Sequence, residues 1–337
     1  MSTATRVTFY TISNEPYFLG TVALLNSLRK TGNDGSFVVL DAGLSRSQRL
    51  RLEGQAAVIR VPGDVSRPSL LKAFVRFLDP SGVIVIIDSD MIVTRSLGYI
   101  VDRAAKGKIC VFPDDSLQRA RWFKDWEKGF GLNAPLRRQP YINGGFIALS
   151  TQHWPGFLSR FWEVSKRVPA GTVFENGDPS MPFWAADQDA LNALLMSEIP
   201  AGAVEVLPAT HEVHPVDLMK TRIVDLDTLE CAVNGEQATI LHYSMGPKAW
   251  DRRGWLRVRR DAYVRLFGRI VTGRDVSLRL GPAELPLWLR PSRTGRFALA
   301  AVDLAHGIVG GTGRRLPERA SAQLLRAKAR LTGTRTT

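Results

Sequence analysis

Features that define several protein classes are missing from this 337-residue sequence. It has two cysteines, Cys110 and Cys231, which are too few for a disulfide framework and fit a reducing compartment. No apolar run reaches the roughly 18 to 20 residues that a membrane-spanning helix requires. The N-terminal residues lead into a strand-like segment without the apolar core of a signal peptide. We therefore expect a globular, cytoplasmic protein, and we find no internal repeat.

Positive charge is in excess and unevenly distributed. The formal net charge is +13, and residues 281–337 contain ten arginine or lysine residues against three acidic ones. This balance indicates attraction to an anionic partner such as a nucleotide, a membrane surface or a nucleic acid. Two interpretations of residues 281–337 remain open: a basic amphipathic helix at the inner face of an anionic membrane, and a disordered tail.

Short apolar segments alternate with helical patterns along the first 90 residues. This alternation predicts βαβ units and an α/β fold with a mostly parallel sheet flanked by helices. We predict strands at 7–11, 37–40, 57–61, 83–87, 109–112, 141–149, 204–207 and 238–241, and helices at 17–29, 45–52, 68–78, 153–167, 186–197 and 257–269. Segment 117–130 is predicted to be helical or irregular, and segment 169–183 to be a long loop.

Two aspartates follow the most apolar of these strands. The five β-branched residues 83–87 predict a strand buried on both faces, and Asp88-Ser89-Asp90 comes directly after it. Open α/β folds bind ligands at that edge of the sheet. Two like charges one residue apart are costly unless a cation bridges them, and Mg²⁺ or Mn²⁺ takes carboxylate and phosphate oxygens. The pattern indicates a metal clamp for a diphosphate, although a polar strand-to-loop transition would also produce it.

A histidine follows another apolar strand far along the chain. His242 comes directly after the predicted strand 238–241, so it too would lie at a strand end. Because neutral imidazole is a good transition-metal ligand, His242 is a candidate third ligand beside Asp88 and Asp90. A structural histidine is the alternative.

The residues after His242 and a second pair of histidines complete the candidate polar groups. Gly246 allows close approach of the backbone, and Lys248 offers a cation to a phosphate. His211 and His214 resemble a metal-binding pair only in their spacing, and we predict that they are structural.

Taken together, these motifs resemble the glycogenin and lipopolysaccharide-galactosyltransferase family of retaining glycosyltransferases. The likeness runs in collinear order from about Val7 to Trp250. Asp88-Ser89-Asp90 is similar to the Asp-x-Asp motif of the family, and His242 falls where the family has its third metal ligand. The resemblance implies a GT-A fold with a Rossmann-like mixed sheet, a UDP-sugar donor, and Mn²⁺ or Mg²⁺ as the cofactor.

The segment that follows His242 is similar to the family's His…Lys-Pro-Trp signature. Lys248 and Trp250 stand at the family spacing. Ala249 replaces the usual proline, and Gly246 lies one position later than the family's glycine. The resemblance implies a phosphate loop here whose detailed shape differs from that of the family.

The resemblance also implies a nucleotide site. Residues 11–17 are similar to the family's first loop, whose polar groups hold uridine and whose tyrosine stacks on the base. Core packing of Tyr17 and a solvated helix charge for Lys72 are the alternatives. The implied nucleotide-binding residues are Thr11, Ser13, Asn14, Tyr17, Lys72, Ser89, Gly246 and Lys248.

Two further motifs are similar to the donor-sugar motifs of the family. They are Asn143-Gly144-Gly145 and the segment 187–192, which reads Asp-Gln-Asp-Ala-Leu-Asn. The resemblance implies that Asn143, Gly144, Asp187 and Gln188 bind the sugar and that Asp187 and Gln188 are catalytic. Because glutamine is a poor nucleophile, we expect Gln188 to support an oxocarbenium-like state electrostatically. A glycine bulge and an ordinary capped helix are the alternatives.

The sequence therefore predicts a metal-dependent, retaining glycosyltransferase that moves a hexose from a UDP-sugar to a glycan, lipid-linked or small-molecule acceptor. A nucleotidyltransferase that makes nucleotide-sugars is the first alternative, but it would carry a glycine- and arginine-rich loop where this chain has residues 13–16. The second is a non-enzymatic protein that binds RNA or an anionic surface. It explains the net charge but not the ordered motifs, so no nucleic-acid partner is expected.

The predicted organisation has three parts. Residues 1–255 form the catalytic domain, with a nucleotide-sugar half at about 1–115 and an acceptor half at about 116–255. Residues 256–280 contain a basic helix. Residues 281–337 form the basic C-terminal extension, which is a candidate for peripheral membrane contact.

Overall fold

The computed structural model of the chain describes residues 6–62, 67–114, 121–170, 178, 180–244, 248–251 and 261–290. The chain divides into two compact units. One unit is formed by residues 1–246 and 261–279, and the other by residues 247–260 and 280–337.

The first unit is built on a sheet of seven strands. These are β1 (Val7–Ser13), β2 (Ser36–Asp41), β3 (Ala57–Arg60), β4 (Val83–Ile87), β6 (Ile109–Pro113), β7 (Ile142–Ser150) and β8 (Val204–Val206). Their order is β3-β2-β1-β4-β7-β6-β8. Neighbouring strands are parallel except that β7 runs antiparallel to β4 and β6. The predicted mixed, mostly parallel sheet is confirmed.

The middle of this sheet places three chain segments at one edge. All residues of β4 and β7 are buried, as expected for central strands. Because β1 pairs in parallel with β4, with Tyr10 opposite Ile86, the end of β1 lies beside the end of β4. Because β7 is antiparallel and places Phe146 opposite Ile87, the start of β7 lies at the same edge.

Eight α-helices are described. They are α1 (Phe18–Lys30), α2 (Arg46–Leu52), α3 (Gly98–Ala105), α4 (Asp125–Gly129), α5 (Phe157–Ser165), α6 (Ala186–Ser197), α7 (Pro215–Leu218) and α8 (Ala262–Thr272). Short 3₁₀ turns are formed by Glu15–Tyr17, Ala201–Ala203 and Ala209–His211. One apolar core joins the sheet to α5, α6 and the segment 68–78, while α1 packs against α8.

Some predicted helices differ from the observed ones. Pro68–Leu78 forms consecutive 3₁₀ turns rather than an α-helix. Its buried residues are Leu71, Lys72, Ala73 and Val75, and burial of three consecutive positions fits a segment enclosed on several sides by β1, α5 and α6. The predicted helix 153–167 is observed only as α5, and within 117–130 the described helix is α4. Much of the predicted loop 169–183 lies outside the described residues.

A second, three-stranded sheet joins segments that are far apart in the sequence. It consists of β5 (Met91–Val93), β13 (Ile240–His242) and β9 (Glu212–Val213), in the order β5-β13-β9. Strand β13 is antiparallel to β5 and parallel to β9. A further antiparallel sheet contains β10 (Arg222–Ile223), β11 (Cys231–Val233) and β12 (Glu236–Gln237).

The second unit is described at residues 248–251 and 280–290. It contains a turn closed by the bond from Asp251 N to Lys248 O at 2.9 Å, and the 3₁₀ turns Pro282–Glu284 and Leu287–Leu289. Of the predicted basic helix 256–280, residues 262–272 are observed as α8, within the first unit. Residues 291–337 of the predicted C-terminal extension lie outside the described residues. No helix within the described ranges combines the length and the hydrophobicity needed to cross a membrane.

Candidate active site

The aspartate pair lies in a tight turn between the two sheets. Asp88 N donates to Gly145 O at 2.8 Å, which continues the pairing of β4 with β7. Met91 N then donates to Asp88 O at 3.2 Å, and the chain enters β5. The turn therefore fixes both Asp88 and Asp90 at the carboxyl end of the central strand.

The small sheet brings His242 to this turn. Its register places His242 opposite Met91, and Tyr243 N donates to Asp90 O at 3.0 Å. As a result, His242 Nε2 lies 3.3 Å from Asp90 Oδ1. The candidate ligand atoms of Asp88, Asp90 and His242 all lie within 4.8 Å of one another.

These distances suit a shared divalent cation. Bonds of about 2.1 Å in octahedral geometry place neighbouring ligand atoms about 3 Å apart and opposite ones about 4 Å apart. The two carboxylates suit both Mn²⁺ and Mg²⁺, and the imidazole is a ligand typical of transition metals, which favours Mn²⁺. The three residues therefore fit the cation that the sequence resemblance implies.

The charges around Asp88, Asp90 and His242 favour a positive charge at this position, either as a proton on His242 or as a bound cation. Burial alone would lower the pKa of His242, but the carboxylates of Asp90 and Glu212 outweigh it and raise the pKa to about 10. Burial raises the pKa of Asp88 above its usual value, against the opposing effect of Lys72, and the neighbouring Asp90 raises it further. Without a cation, the ring of His242 therefore holds a proton that a metal bound at Nε2 would replace.

Glu212 is a site residue that sequence reasoning missed. His242 Nδ1 donates to Glu212 Oε1 at 2.8 Å, and Glu212 Oε2 lies 3.5 Å from His214 Nε2. Burial would raise the pKa of Glu212, but His214 and His242 lower it to about 2. These three residues also form a group whose ligand atoms lie within 4.8 Å of one another. The sequence signal was the run Glu212-Val213-His214, whose alternation places both polar side chains on one face of a strand.

Lys72 is buried between the two halves of the site. Its ammonium lies 2.8 Å from Asp88 Oδ1 and 2.9 Å from Asp187 Oδ2, and it donates to Gly144 O at 2.7 Å. Burial would lower the pKa of Lys72, but Asp187 and Asp88 raise it above its ordinary value. Lys72 therefore acts as an internal counter-ion, rather than as the solvated helix charge that was its alternative interpretation.

The glycine pair of β7 is explained by close packing at this edge. A Cβ at Gly145 would lie 2.5 Å from Met91 Cε and 2.9 Å from His242 Cε1. A Cβ at Gly144 would lie 2.9 Å from Gln188 Cβ. Glycine at these positions therefore lets the histidine and the start of α6 approach the sheet.

Gln188 is fixed at both ends of its side-chain amide. Gly144 N donates to its Oε1 at 2.8 Å, and its Nε2 donates to Asp114 Oδ2 at 2.8 Å. Asn143, in β7, accepts from Gly145 N at 2.7 Å. Asp114 was not predicted, although it follows the apolar strand β6 just as Asp88 follows β4.

The other polar residues of the 187–192 motif anchor α6. The buried Asp189 accepts from Arg121 Nε at 2.8 Å, from Arg121 Nη2 at 2.9 Å and from Tyr141 Oη at 2.7 Å. Asn192 accepts from Ile142 N at 2.7 Å and donates to Ile142 O at 2.8 Å. Within this motif, Asp189 and Asn192 therefore anchor the helix, and Asp187 and Gln188 remain as the candidate site residues.

The predicted nucleotide-binding residues of the first loop lie at the end of β1, beside the aspartate turn. Ser13 Oγ accepts from Thr21 Oγ1 at 2.7 Å. Thr11 Oγ1 and Asn14 Oδ1 are buried and have no hydrogen-bond partner among the described residues. Buried polar atoms are normally bonded, so these two atoms are candidates for ligand contact.

The remaining predicted site residues are placed as follows. Tyr17 ends the 3₁₀ turn Glu15–Tyr17 and is partly exposed, and Ser89 is buried in the aspartate turn. Lys248 lies in the described turn of the second unit. Gly246 lies outside the described residues.

No protein-family model matches the sequence, and no curated protein matches it either. Solved structures do match. The bifunctional glycosyltransferase WbbM is 16% identical, with a TM-score of 0.53 over 81% of this chain, and the chain spans half of WbbM. The galactosyltransferase LgtC, in complex with donor and acceptor sugar analogues, is 19% identical, with a TM-score of 0.51 over 80% of this chain and 98% of LgtC.

A second LgtC structure, of an active-site mutant with glutamate in place of glutamine, is 16% identical with a TM-score of 0.51 over 77% of this chain and 95% of that one. At such identities the likeness establishes the fold. The arrangement of helices around the seven-stranded sheet is the GT-A arrangement, as the sequence resemblance implied.

Proposed function

We propose that this chain, which has the GT-A fold, is a metal-dependent glycosyltransferase that moves a hexose from a UDP-sugar to a glycan, lipid-linked or small-molecule acceptor. One observation carries the proposal. Asp88, Asp90 and His242 lie within reach of one cation at the sheet edge. Gln188 is fixed beside Gly144 at that same edge. A cation site next to fixed polar groups on this fold suits transfer of a sugar from a diphosphate.

The end of β1 would hold the nucleotide. Thr11 Oγ1 and Asn14 Oδ1 lack partners among the described residues, and a uridine offers both hydroxyl and N–H groups to satisfy them. Tyr17 would stack on the base, because an aromatic face gives contact without a specific hydrogen-bond pattern. Ser13, Ser89 and the chain near Gly246 would complete the nucleotide site.

Asp88, Asp90 and His242 would hold Mn²⁺ or Mg²⁺. A divalent cation bound there would neutralise the negative charge that develops on the departing diphosphate. Lys248 would add a second positive charge to the phosphates. Lys72 balances the negative charge of Asp88 and Asp187 through its two ion pairs.

Asn143, Gly144, Asp187 and Gln188 would bind the sugar and support the reaction. One oxygen of Asp187 is held by Lys72, so the carboxylate is oriented to accept hydrogen bonds from sugar hydroxyls. The amide of Gln188 is held by Gly144 and Asp114. A fixed amide dipole suits electrostatic support of an oxocarbenium-like state, with the acceptor attacking from the side of the leaving group and the configuration retained.

The acceptor and the membrane are further parts of the proposal. A basic segment at residues 281–337 would favour contact with an anionic membrane surface, which suits a lipid-linked acceptor. Co-sedimentation of the full chain and of a chain ending before Gly281 with anionic vesicles tests this. We expect the full chain to sediment and the shortened chain to remain in solution; equal sedimentation would remove the membrane proposal.

The activity is tested by release of free UDP. Purified protein is incubated with a panel of UDP-sugars, including UDP-galactose and UDP-glucose, with Mn²⁺ or with a chelator. We expect Mn²⁺-dependent release that Asp90→Asn lowers about 100-fold to 1,000-fold, since loss of a charge-stabilising group costs on this order. Asp102→Asn on the exposed face of α3 is the matched control and should keep full activity.

The outcomes separate the alternatives. UDP release that is unaffected by the chelator or by Asp90→Asn would contradict the proposed site. The nucleotidyltransferase alternative is tested by incubating the same preparation with nucleoside triphosphates and sugar 1-phosphates. That alternative predicts release of pyrophosphate from this mixture and no release of UDP from UDP-sugars.

A further inference from the structure

The environment of His242 differs on the two sides of its ring. Nε2 faces the aspartate turn, 3.3 Å from Asp90 Oδ1. Nδ1 faces away from it and donates to Glu212 Oε1 at 2.8 Å. An imidazole can bind a cation with one nitrogen only when that nitrogen carries no proton, so the bond made by the other nitrogen decides which face is available.

The three-stranded sheet β5-β13-β9 places His242 between Asp90 and Glu212. Strand β13 lies between β5 and β9, so that β5 places Asp90 on one side of His242 and β9 places Glu212 on the other. The side chain of Glu212 is fully buried, and that of His242 is 4% exposed. Glu212 has His242 as its direct hydrogen-bond partner, and His214 Nε2 lies 3.5 Å from its other oxygen. A buried carboxylate balanced by two imidazoles is costly to keep unless it has a role.

We propose that Glu212 is a positioning residue that keeps the Nδ1 proton of His242 and so presents the Nε2 lone pair to the cation. This inference rests on the proposed function, since it assumes that Asp88, Asp90 and His242 bind a divalent cation. Metal-binding histidines commonly donate their second N–H to a carboxylate, and loss of that carboxylate typically weakens metal binding about 10-fold to 100-fold.

The other use of these residues is a second cation site made by Glu212, His214 and His242. The 2.8 Å separation of Nδ1 and Oε1 is that of a direct hydrogen bond. A cation there would also have to reach a carboxylate with no solvent exposure. The role of Glu212 in positioning His242 therefore explains the contact between Nδ1 and Oε1 without a second ion.

The test is a double-mutant cycle with Mn²⁺ affinity as the readout, measured by electron paramagnetic resonance of free Mn²⁺. We expect Glu212→Gln to weaken Mn²⁺ binding about 10-fold or more in the wild-type background and less than about 2-fold when His242 is already Ala. Equal weakening in both backgrounds would show a general electrostatic effect and overturn the inference, as would no weakening in the wild-type background.

Two further variants distinguish contact from charge. Glu212→Asp keeps the charge but withdraws the carboxylate from Nδ1, so the inference predicts weaker Mn²⁺ binding, whereas a role of charge alone predicts none. Glu236→Gln removes an exposed carboxylate from β12 and is the control, with binding expected within about 2-fold of wild type. Denaturant unfolding of each variant confirms that the proteins compared are folded.

Failure of the inference and failure of the proposed function give different results. If wild-type protein binds no Mn²⁺, or if His242→Ala binds it as well as wild type does, the proposed cation site is wrong and the inference falls with it. If wild-type binding depends on His242 but not on Glu212, only the positioning role is overturned.

Discussion

The two sides of the site compensate their charges differently. On the cation side, formed by Asp88, Asp90, His242 and Glu212, ionisable groups face one another and Lys72. On the helix side, formed by Asp187, Gln188, Asp189 and Asn192, polar atoms are bonded mainly to backbone groups and to fixed side chains. The charge balance on the cation side can change when an ion binds, whereas most hydrogen bonds on the helix side are already formed.

This difference indicates a division of work. The bonds of Asp189 and Asn192 hold the start of α6 against β7 before any ligand arrives, which is the preorganisation that a transition state requires. On the cation side, His242 and Lys72 supply positive charge that a divalent cation would replace or share. Mutations on the helix side should therefore change stability or turnover, and mutations on the cation side should change ion binding.

The largest effect on stability is expected at Asp189. Asp189→Asn would remove the buried charge that faces the Arg121 guanidinium, which should lower the free energy of unfolding by about 3 kcal/mol. Urea denaturation measures this, with the exposed Asp102→Asn as the matched control. Mn²⁺ affinity should stay within about 2-fold of wild type; loss of Mn²⁺ binding in a folded variant would show that the two sides are not separate.

Replacement of Gln188 should lower turnover without changing ion binding. Gln188→Ala removes the amide that Gly144 and Asp114 fix, so we expect turnover to fall about 100-fold, as for loss of one preorganised polar group. Gln55→Ala, at an exposed position after α2, is the control. Steady-state UDP release together with Mn²⁺ titration measures both quantities. Unchanged turnover would remove Gln188 from the mechanism.

Lys72 connects the two sides, and its replacement should strengthen ion binding rather than weaken it. The ammonium of Lys72 forms an ion pair with Asp88, which a cation would have to displace or share. Lys72→Met should therefore let Mn²⁺ bind about 10-fold more tightly in the absence of nucleotide, a change that corresponds to the loss of about one close charge interaction. Lys106→Met, at an exposed lysine after α3, should bind Mn²⁺ as wild type does. Calorimetric titration measures this, and weaker binding by Lys72→Met would contradict the proposed competition.

Much of the fold could be predicted because its elements carry local signals. The β-branched run 83–87 and the alternation before it predicted the central strand and the parallel part of the sheet. Asp88 and His242 could be singled out because each ends an apolar strand. The 3₁₀ geometry of segment 68–78 was missed, because its amphipathic pattern is that of a helix in either form while its enclosure by three elements comes from the tertiary structure.

The contacts that organise the site could not be predicted in the same way. Strands β5, β9 and β13 have two or three residues each, too few to show a period, and their pairing joins residues 92, 213 and 241. Glu212 could be recognised only once that pairing was known. Asp189 was predicted as part of a motif, but its role as the partner of Arg121 depends on a segment whose sequence gave no regular pattern.

The proposed function depends on the binding of one divalent cation by Asp88, Asp90 and His242. Anomalous diffraction from a crystal soaked in Mn²⁺ tests it most directly. We predict a single peak at the aspartate turn, with the ion bonded to all three side chains at about 2.0 to 2.3 Å and Glu212 still hydrogen-bonded to His242 Nδ1. A peak between Glu212 and His214, or no peak at the aspartate turn, would contradict it.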